Sequence, residues 1–506
     1  MKNQTVIPVG QNSDDNLNLH FVLMPVMAQG HMIPMIDMAR LMASRGVLVT
    51  FVTTPLNAAR VKTSIDSMHG SGLPIRFLSL PFPCAEAGLP EGCENLDTLP
   101  SMDLIMNFMQ ACRLLKDPLM NHLKTQHPPP SCIVSDISLP WTKEISEEFS
   151  IPRFFFNGFG CFGLLCWTNI IEHKIHETEA DENEPFVIPG LPHKVKVTRA
   201  QSPVSFKAKG VEKFMEEMIE GQNSADGVVV NSFDELEAPY VECYQKTTGK
   251  KAWMIGPLSL SNKNFSDLAA RGNKADIDEG LCMNWLDSMN PGSVLYLSFG
   301  SMAVTKLDQV MEVGLALEAS GRPFVWVVKA GEKAAEVEEW LSEGFEERTR
   351  SRGLIIRGWA PQAMILSHRA VGGFMTHCGW NSTLEAVTAG VPMITWPHFA
   401  EQFINEKLIV EVLEIGVPVG MKSPTKWGDE NGNALAVEKE RIVKAVERLM
   451  NEGEEAEERR MRAKVLGEKA CRAMEEGGSS YQNLSTFIKS IHGAVNQVEE
   501  KKKLFA

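Results

Sequence analysis

Several residues whose side chains can do chemistry stand where apolar runs end. His31 follows one such run, His20–Val26, and Asp136 closes another, Cys132–Asp136. An imidazole titrates near neutral pH and takes a proton from a hydroxyl, and a carboxylate beside it orients the ring and stabilises its charged form. A strand-end His is also commonly a cap or a core contact, so residue type alone leaves both roles open. His377 lies in a third run, Ala370–Cys378, followed by Gly379-Trp380-Asn381-Ser382. Strand, tight glycine turn and helix together aim backbone N–H groups and the positive helix end at one point. A diphosphate fits there without a metal. Asn381 and Ser382 add side-chain donors, although Ser382 and Glu385 equally spell a capping box, S-x-x-E. Trp359, closing Gly353–Trp359, offers a flat face either to a base, worth about 1–3 kcal/mol, or to the core. Ser301, just after the run Val294–Phe299, suits a phosphate or a helix cap.

The elements that must position these residues alternate. Runs at His20–Val26, Val47–Thr54, Ile75–Pro81, Cys132–Asp136, Ile151–Asn157, Gly227–Ser232 and Ala252–Pro257 read as buried strands. Helical patterns separate them, among them Ile33–Ser44, Met102–Lys124, Val211–Gly221 and Glu235–Thr247. The second half repeats the scheme with Val294–Phe299, Phe324–Val328, Gly353–Trp359, Ala370–Cys378 and Val391–Trp396 as strands and Trp380–Gly390 as a helix ended by glycine. Such alternation implies α/β lobes built on doubly wound parallel sheets. Ligands of these sheets sit outside the carboxyl ends of the strands, which directs His31 and Asp136 to one crevice. A length of 506 residues calls for at least two such domains.

The 44 residues from Trp359 to Gln402 resemble the signature box of plant family-1 UDP-dependent glycosyltransferases, which act on small secondary metabolites. The segments WAPQ, HCGWNS, the following Glu385, and WPHFAEQ match in order and spacing. Outside the box, Gly30-His-Met-Ile-Pro34 is similar to the family's GHxxP motif, and Val134-Ser-Asp136 to its VSD-like strand end. The resemblance implies a GT-B fold: two doubly wound parallel-sheet lobes facing a cleft, with UDP-sugar held mainly by the second. It implies His31 as the base and Asp136 as its partner. By the same resemblance Trp359 and Gln362 meet uracil, Glu385 the ribose, and His377, Asn381 and Ser382 the diphosphate, and Ala360 is counted among the UDP-sugar contacts. Trp380, Glu401 and Gln402 meet the sugar. The family often has Asp where this chain has Glu401. A terminal Gln402 is similar to glucose-using members. The implied activity is inverting O-glucosyl transfer from UDP-glucose, a co-substrate rather than a cofactor, to a flavonoid, triterpenoid, steroid or simple phenol. A non-catalytic UDP-sugar-binding protein is the alternative, and it would have no use for a His31–Asp136 pair.

Other readings are weaker. Gly158-Phe-Gly-Cys-Phe-Gly163 spells the dinucleotide motif G-x-G-x-x-G. It is not the first strand–helix turn, however, and no strand ending in an acid follows about twenty residues on. Close helix packing or a crevice floor is the expected role. Asp276-Ile-Asp278 spells the D-x-D of metal-dependent sugar transferases, but it falls in a polar stretch and is expected to be solvated, with no metal. A net charge of −14 argues against nucleic acid or anionic membrane as partner. Ten scattered cysteines without a C-x-x-C pair fit a reducing cytoplasm. Phe154–Ile171 is interrupted by polar residues and glycine, so no integral membrane segment is expected. A monomer is expected. The expected division is a tail at 1–18, an acceptor lobe at 19–258, a linker at 259–280, a UDP-sugar lobe at 281–478, and at 479–506 a helix and tail returning to the first lobe. The acceptor is expected among loops 83–100 and 185–205 and the face Met102, Ile105, Met106 and Met109, a stripe that suits core packing equally.

Overall fold

A computed structural model describes residues 18–175, 181–203, 210–262, 268, 271–300, 306–329, 334–425 and 437–504. Ser301 lies outside the described residues. Seven short runs of Val, Ile, Phe, Leu and Met form one parallel sheet in the order β3-β2-β1-β4-β5-β8-β9. These strands are β1 (His20–Met24), β2 (Leu48–Thr53), β3 (Ile75–Ser79), β4 (Cys132–Asp136), β5 (Arg153–Asn157), β8 (Gly227–Val230) and β9 (Lys251–Met254). Strands β1, β4 and β5 are buried along their whole length, as expected of a sheet covered by helices on both faces. A second parallel sheet has the order β12-β11-β10-β13-β14-β15. Its members are β10 (Val294–Ser298), β11 (Phe324–Val328), β12 (Gly353–Arg357), β13 (Val371–Thr376), β14 (Met393–Thr395) and β15 (Gly416–Pro418). A small antiparallel hairpin joins β6 (Pro185–Val187) to β7 (Lys196–Thr198) within the segment 185–205 read as a loop.

Strand order places the chemistry. In the first sheet the order reverses between β1 and β4, and in the second between β10 and β13. A doubly wound sheet opens its crevice at such a switch point, beyond the carboxyl ends of the two strands. His31 follows β1 and Asp136 ends β4; His377 follows β13 and Gly300 follows β10.

The boundaries depart from the periodicity in informative places. The first helix runs Gln29–Ala43, four residues earlier than expected, with Pro34 inside it. A proline there removes the N–H that would bond the carbonyl of Gly30. That carbonyl instead accepts Asn381 Nδ2 from the second lobe at 2.6 Å. The pattern over Met102–Lys124 breaks into Ile105–Leu114 and Lys116–Leu123. Strand β15 was not expected, because three residues carry no periodic signal. The C-terminal helix Ser479–Leu504 crosses back to the first lobe, where Phe487 meets the rings of Phe154, Trp253 and Phe21 at centroid distances of 4.9, 5.5 and 5.9 Å.

Asp276 and Asp278 of the D-x-D are both exposed, in keeping with the solvated reading, and each also anchors the backbone. Asp276 Oδ2 accepts the Trp359 backbone N–H at 2.6 Å, and Asp278 caps the helix Glu279–Asp287 through Leu281 N at 2.9 Å. Both carboxylates satisfy backbone donors that a strand end and a helix start leave unpaired. Among the described residues, no helix is long and apolar enough to cross a membrane.

Candidate active site

His31 occupies the first turn of the helix Gln29–Ala43, whose N-cap is Ala28. Its Nδ1 lies 2.6 Å from Asp136 Oδ2, with the imidazole 26% exposed and the carboxylate 0% exposed. The other Asp136 oxygen accepts the Ser138 N–H at 2.9 Å, which fixes the carboxylate plane. With Nδ1 committed to Asp136, Nε2 is the nitrogen left to take a proton. Burial disfavours the charged ring, but the Asp136 charge, its hydrogen bond and the Glu401 carboxylate outweigh it and hold the pKa above the ordinary 6.5.

The second lobe contributes a turn and a helix end. Cys378 takes a left-handed conformation at φ 64°, and Gly379 is the N-cap of the helix Trp380–Ala389. That left-handed step at a buried non-glycine residue swings the chain out of β13. It is held by Asn405 Nδ2 on the Cys378 carbonyl at 2.8 Å. Gly379 is required, because a Cβ there would run into the His377 ring. His377 sits between Gly300 and Gly379, and burial pushes its pKa down to about 3, with His398 adding to the effect. The ring is therefore neutral near pH 7. Ser382 is the third helical residue rather than an N-cap, so the Ser382–Glu385 capping box does not form. Both side chains instead meet Gln362, whose Nε2 donates to Ser382 Oγ at 3.0 Å and to Glu385 Oε2 at 2.8 Å.

Trp359 and Ala360 border the same cavity beside Gln362. Glu401 is pushed up in pKa by burial, against which its own and the Trp380 backbone N–H groups act. Gln402 uses its amide oxygen to hold the loop before it, accepting from His398 N at 2.8 Å and Phe399 N at 3.2 Å. Trp380 borders the cavity but its indole is 2% exposed and donates to the Asn231 carbonyl of the first lobe at 2.7 Å. Its ring is thus a bridge between lobes. Asn381 likewise spends its side-chain N–H₂ on Gly30.

The glycine motif at 158–163 is explained by these contacts. A Cβ on Gly158 would stand 3.0 Å from His31 Cε1, and one on Gly160 would stand 2.5 Å from Trp380 Cζ2 and 2.6 Å from Glu237 Oε1. Glu237, fully buried, accepts Cys161 N at 3.1 Å and Phe162 N at 2.7 Å at the start of the helix Cys161–Glu172. The chain's own carboxylate therefore fills the position a pyrophosphate would take in a dinucleotide fold. Gly160→Ala is expected to destabilise the fold by about 1–3 kcal/mol through overpacking, measured as a lowered midpoint of urea unfolding. An unchanged midpoint would show that Trp380 has room to move.

One cavity of about 630 Å³ gathers His31, Gly158 and Phe159 from the first lobe. From the second it takes Trp359, Ala360, Gln362, His377, Trp380, Asn381, Ser382, Glu385, Glu401 and Gln402. Asp136 stands behind His31 rather than on its wall. Sequence reasoning missed Arg271, which also lines this cavity and pairs with Glu385. A lone arginine in a polar, glycine-bearing stretch was the available signal. A smaller cavity of about 300 Å³ lies beyond Ser138, walled by Met106, Met109, Trp141 and Phe214.

Two parallel-sheet α/β lobes whose switch points share a cleft define a GT-B glycosyltransferase. Residues 18–260 match the family described as glycosyltransferase, N-terminal domain, and residues 261–455 match the one described as UDP-glucoronosyl and UDP-glucosyl transferase. UDP-glycosyltransferase 73C6 of Arabidopsis thaliana is 50% identical over 485 residues, covering 95% of this chain and 98% of that one. UDP-glycosyltransferase 73C12 of Barbarea vulgaris is 51% identical across 94% of this chain and 96% of its own. Among solved structures, Glycyrrhiza uralensis UGT73P12 complexed with glycyrrhetinic acid 3-O-monoglucuronide superposes with a TM-score of 0.88 at 38% identity, covering 96% and 98% of the two chains. Arabidopsis thaliana UGT89C1 complexed with UDP-L-rhamnose does so with a TM-score of 0.72 at 30% identity, covering 94% and 99%. The chain belongs to the plant UDP-glycosyltransferases.

Proposed function

We propose that the protein transfers glucose from UDP-glucose to a hydroxyl of a small lipophilic or phenolic plant metabolite, with inversion at C1. The observation that carries this reading is that a carboxylate-backed imidazole and the N-terminus of the helix Trp380–Ala389, from different lobes, border one cavity. His31 Nε2 takes the acceptor proton as the hydroxyl attacks C1 from the face opposite UDP, and Asp136 stabilises the imidazolium. The uracil lies against Trp359 and Ala360 near Gln362, and the ribose meets Glu385. The departing diphosphate is received by the amides of Asn381 and Ser382, by His377 and by Ser301, a preorganised positive field that needs no metal. The Trp380 backbone, Glu401 and Gln402 hold the sugar. The acceptor lies along Phe159 and Leu96, which border the main cavity with His31.

Incubating the protein with UDP-glucose and a panel of flavonoids, triterpenoids, steroids and phenols tests this directly. A mass gain of one hexosyl unit on at least one aglycone is expected, undiminished by excess chelator. UDP binding without transfer to any of them would favour a non-catalytic sugar-nucleotide binder. Loss of transfer with chelator would contradict the metal-free diphosphate site. Gln402→Ala is expected to lower glucose transfer more than it lowers UDP affinity, since its amide shapes the loop beside the sugar. Equal losses in both would remove the sugar role.

A further inference from the structure

Arg271 carries a charge into the middle of the molecule. Its side chain is 9% exposed and lies between carboxylates from opposite lobes. Nε donates to Asp37 Oδ2 at 2.7 Å, on the helix that begins at Gln29, and Nη1 donates to Glu385 Oε1, on the helix that begins at Trp380. Asn262 Nδ2 completes Asp37 at 2.6 Å, and Gln362 Nε2 completes Glu385 at 2.8 Å. Neighbouring residues of the same stretch are fixed too: Asn273 accepts Gln29 Nε2 at 2.8 Å, and Gly272 lies against the Trp359 ring, where a side chain could not fit.

This geometry has a consequence for Glu385. The carboxylate is 7% exposed, and the Arg271 guanidinium holds one of its oxygens in place. Each carboxylate oxygen has two acceptor directions. Arg271 takes one on Oε1 and Gln362 one on Oε2, so each oxygen keeps one for another donor. Two adjacent hydroxyls on one sugar ring match that pair of acceptors. Arg271, Gln362 and Glu385 all border the main cavity.

We propose that Arg271 is a positioning residue for the nucleotide ribose. It holds Glu385 oriented towards the 2′- and 3′-hydroxyls, and by gripping Asp37 it ties that acceptor to the helix that carries His31. The inference rests on the reading of Glu385 as the ribose contact.

The test compares dissociation constants of UDP and 2′-deoxy-UDP by calorimetry for the full chain, Arg271→Met and Arg271→Lys. A hydroxyl bonded to a charged acceptor makes wild type prefer UDP by roughly tenfold or more. Arg271→Met is expected to reduce that preference to about twofold or less. In turnover its KM for the donor rises while kcat changes little, and Arg271→Lys recovers part of the preference. The double variant Arg271→Met/Asp37→Asn leaves one fewer stranded carboxylate and gives the same reading if the single variant folds poorly. If Arg271→Met loses affinity for both nucleotides equally, with the preference intact, Arg271 is a structural strut and the inference falls alone. A wild type that binds both nucleotides alike would overturn the ribose reading of Glu385, and the inference with it.

Discussion

His31→Ala is expected to lower kcat by roughly 10²–10⁴-fold while the variant binds UDP as wild type does. The two effects separate because of where the groups stand. The imidazole belongs to the first lobe and borders the cavity through its open edge, with its Nδ1 engaged by Asp136. The proposed diphosphate site consists of the turn at His377–Gly379 and the helix Trp380–Ala389 of the second lobe. Removing the ring takes away the proton acceptor and leaves the anion site whole. Calorimetry with UDP and initial rates with UDP-glucose read the two separately. Near-normal turnover in His31→Ala would show that another group takes the proton.

Asp136→Asn removes the charge and keeps the shape, and its expected cost is about 10²-fold or more in kcat at neutral pH. The pH profile carries the sharper signature. His31 must be neutral to act as base, so activity falls as pH drops through its pKa. In the wild type Asp136 and Glu401 outweigh burial and hold that pKa above 6.5, so the acid limb of kcat/KM lies on the alkaline side of that value. In Asp136→Asn the largest raising influence is gone and burial remains, so the limb moves to lower pH. Glu401→Gln moves it in the same direction by less. A limb that stays in place in Asp136→Asn would mean that the titrating group is not His31.

Much of the site was legible because it depends on local rules. Strand ends gather at switch points, so a histidine after one strand and an aspartate closing another meet whenever those two strands are neighbours, as β1 and β4 are. The turn His377-Cys378-Gly379 was legible because a helix start after a buried strand has few alternatives. What was not legible depends on residues far apart in the chain. The helical pattern suggested a start at Ile33. The helix starts at Gln29 because Asn381, 351 residues away, satisfies the carbonyl that Pro34 strands. Arg271 lies in a polar stretch that reads as solvated. It is buried because Asp37 and Glu385, 234 and 114 residues from it, converge there. The indole of Trp380 is spent on Asn231 across the cleft, an outcome that requires Gly160 opposite and that no spacing within the box could reveal.

A crystal structure with UDP and an acceptor tests the central claim most directly, because it sees both lobes at once. The account places the diphosphate at the amides of Asn381 and Ser382 beside His377. It places the acceptor hydroxyl within about 3.2 Å of His31 Nε2, on the opposite side of the sugar carbon from UDP. UDP bound elsewhere, or an acceptor oxygen out of reach of that nitrogen, would contradict it.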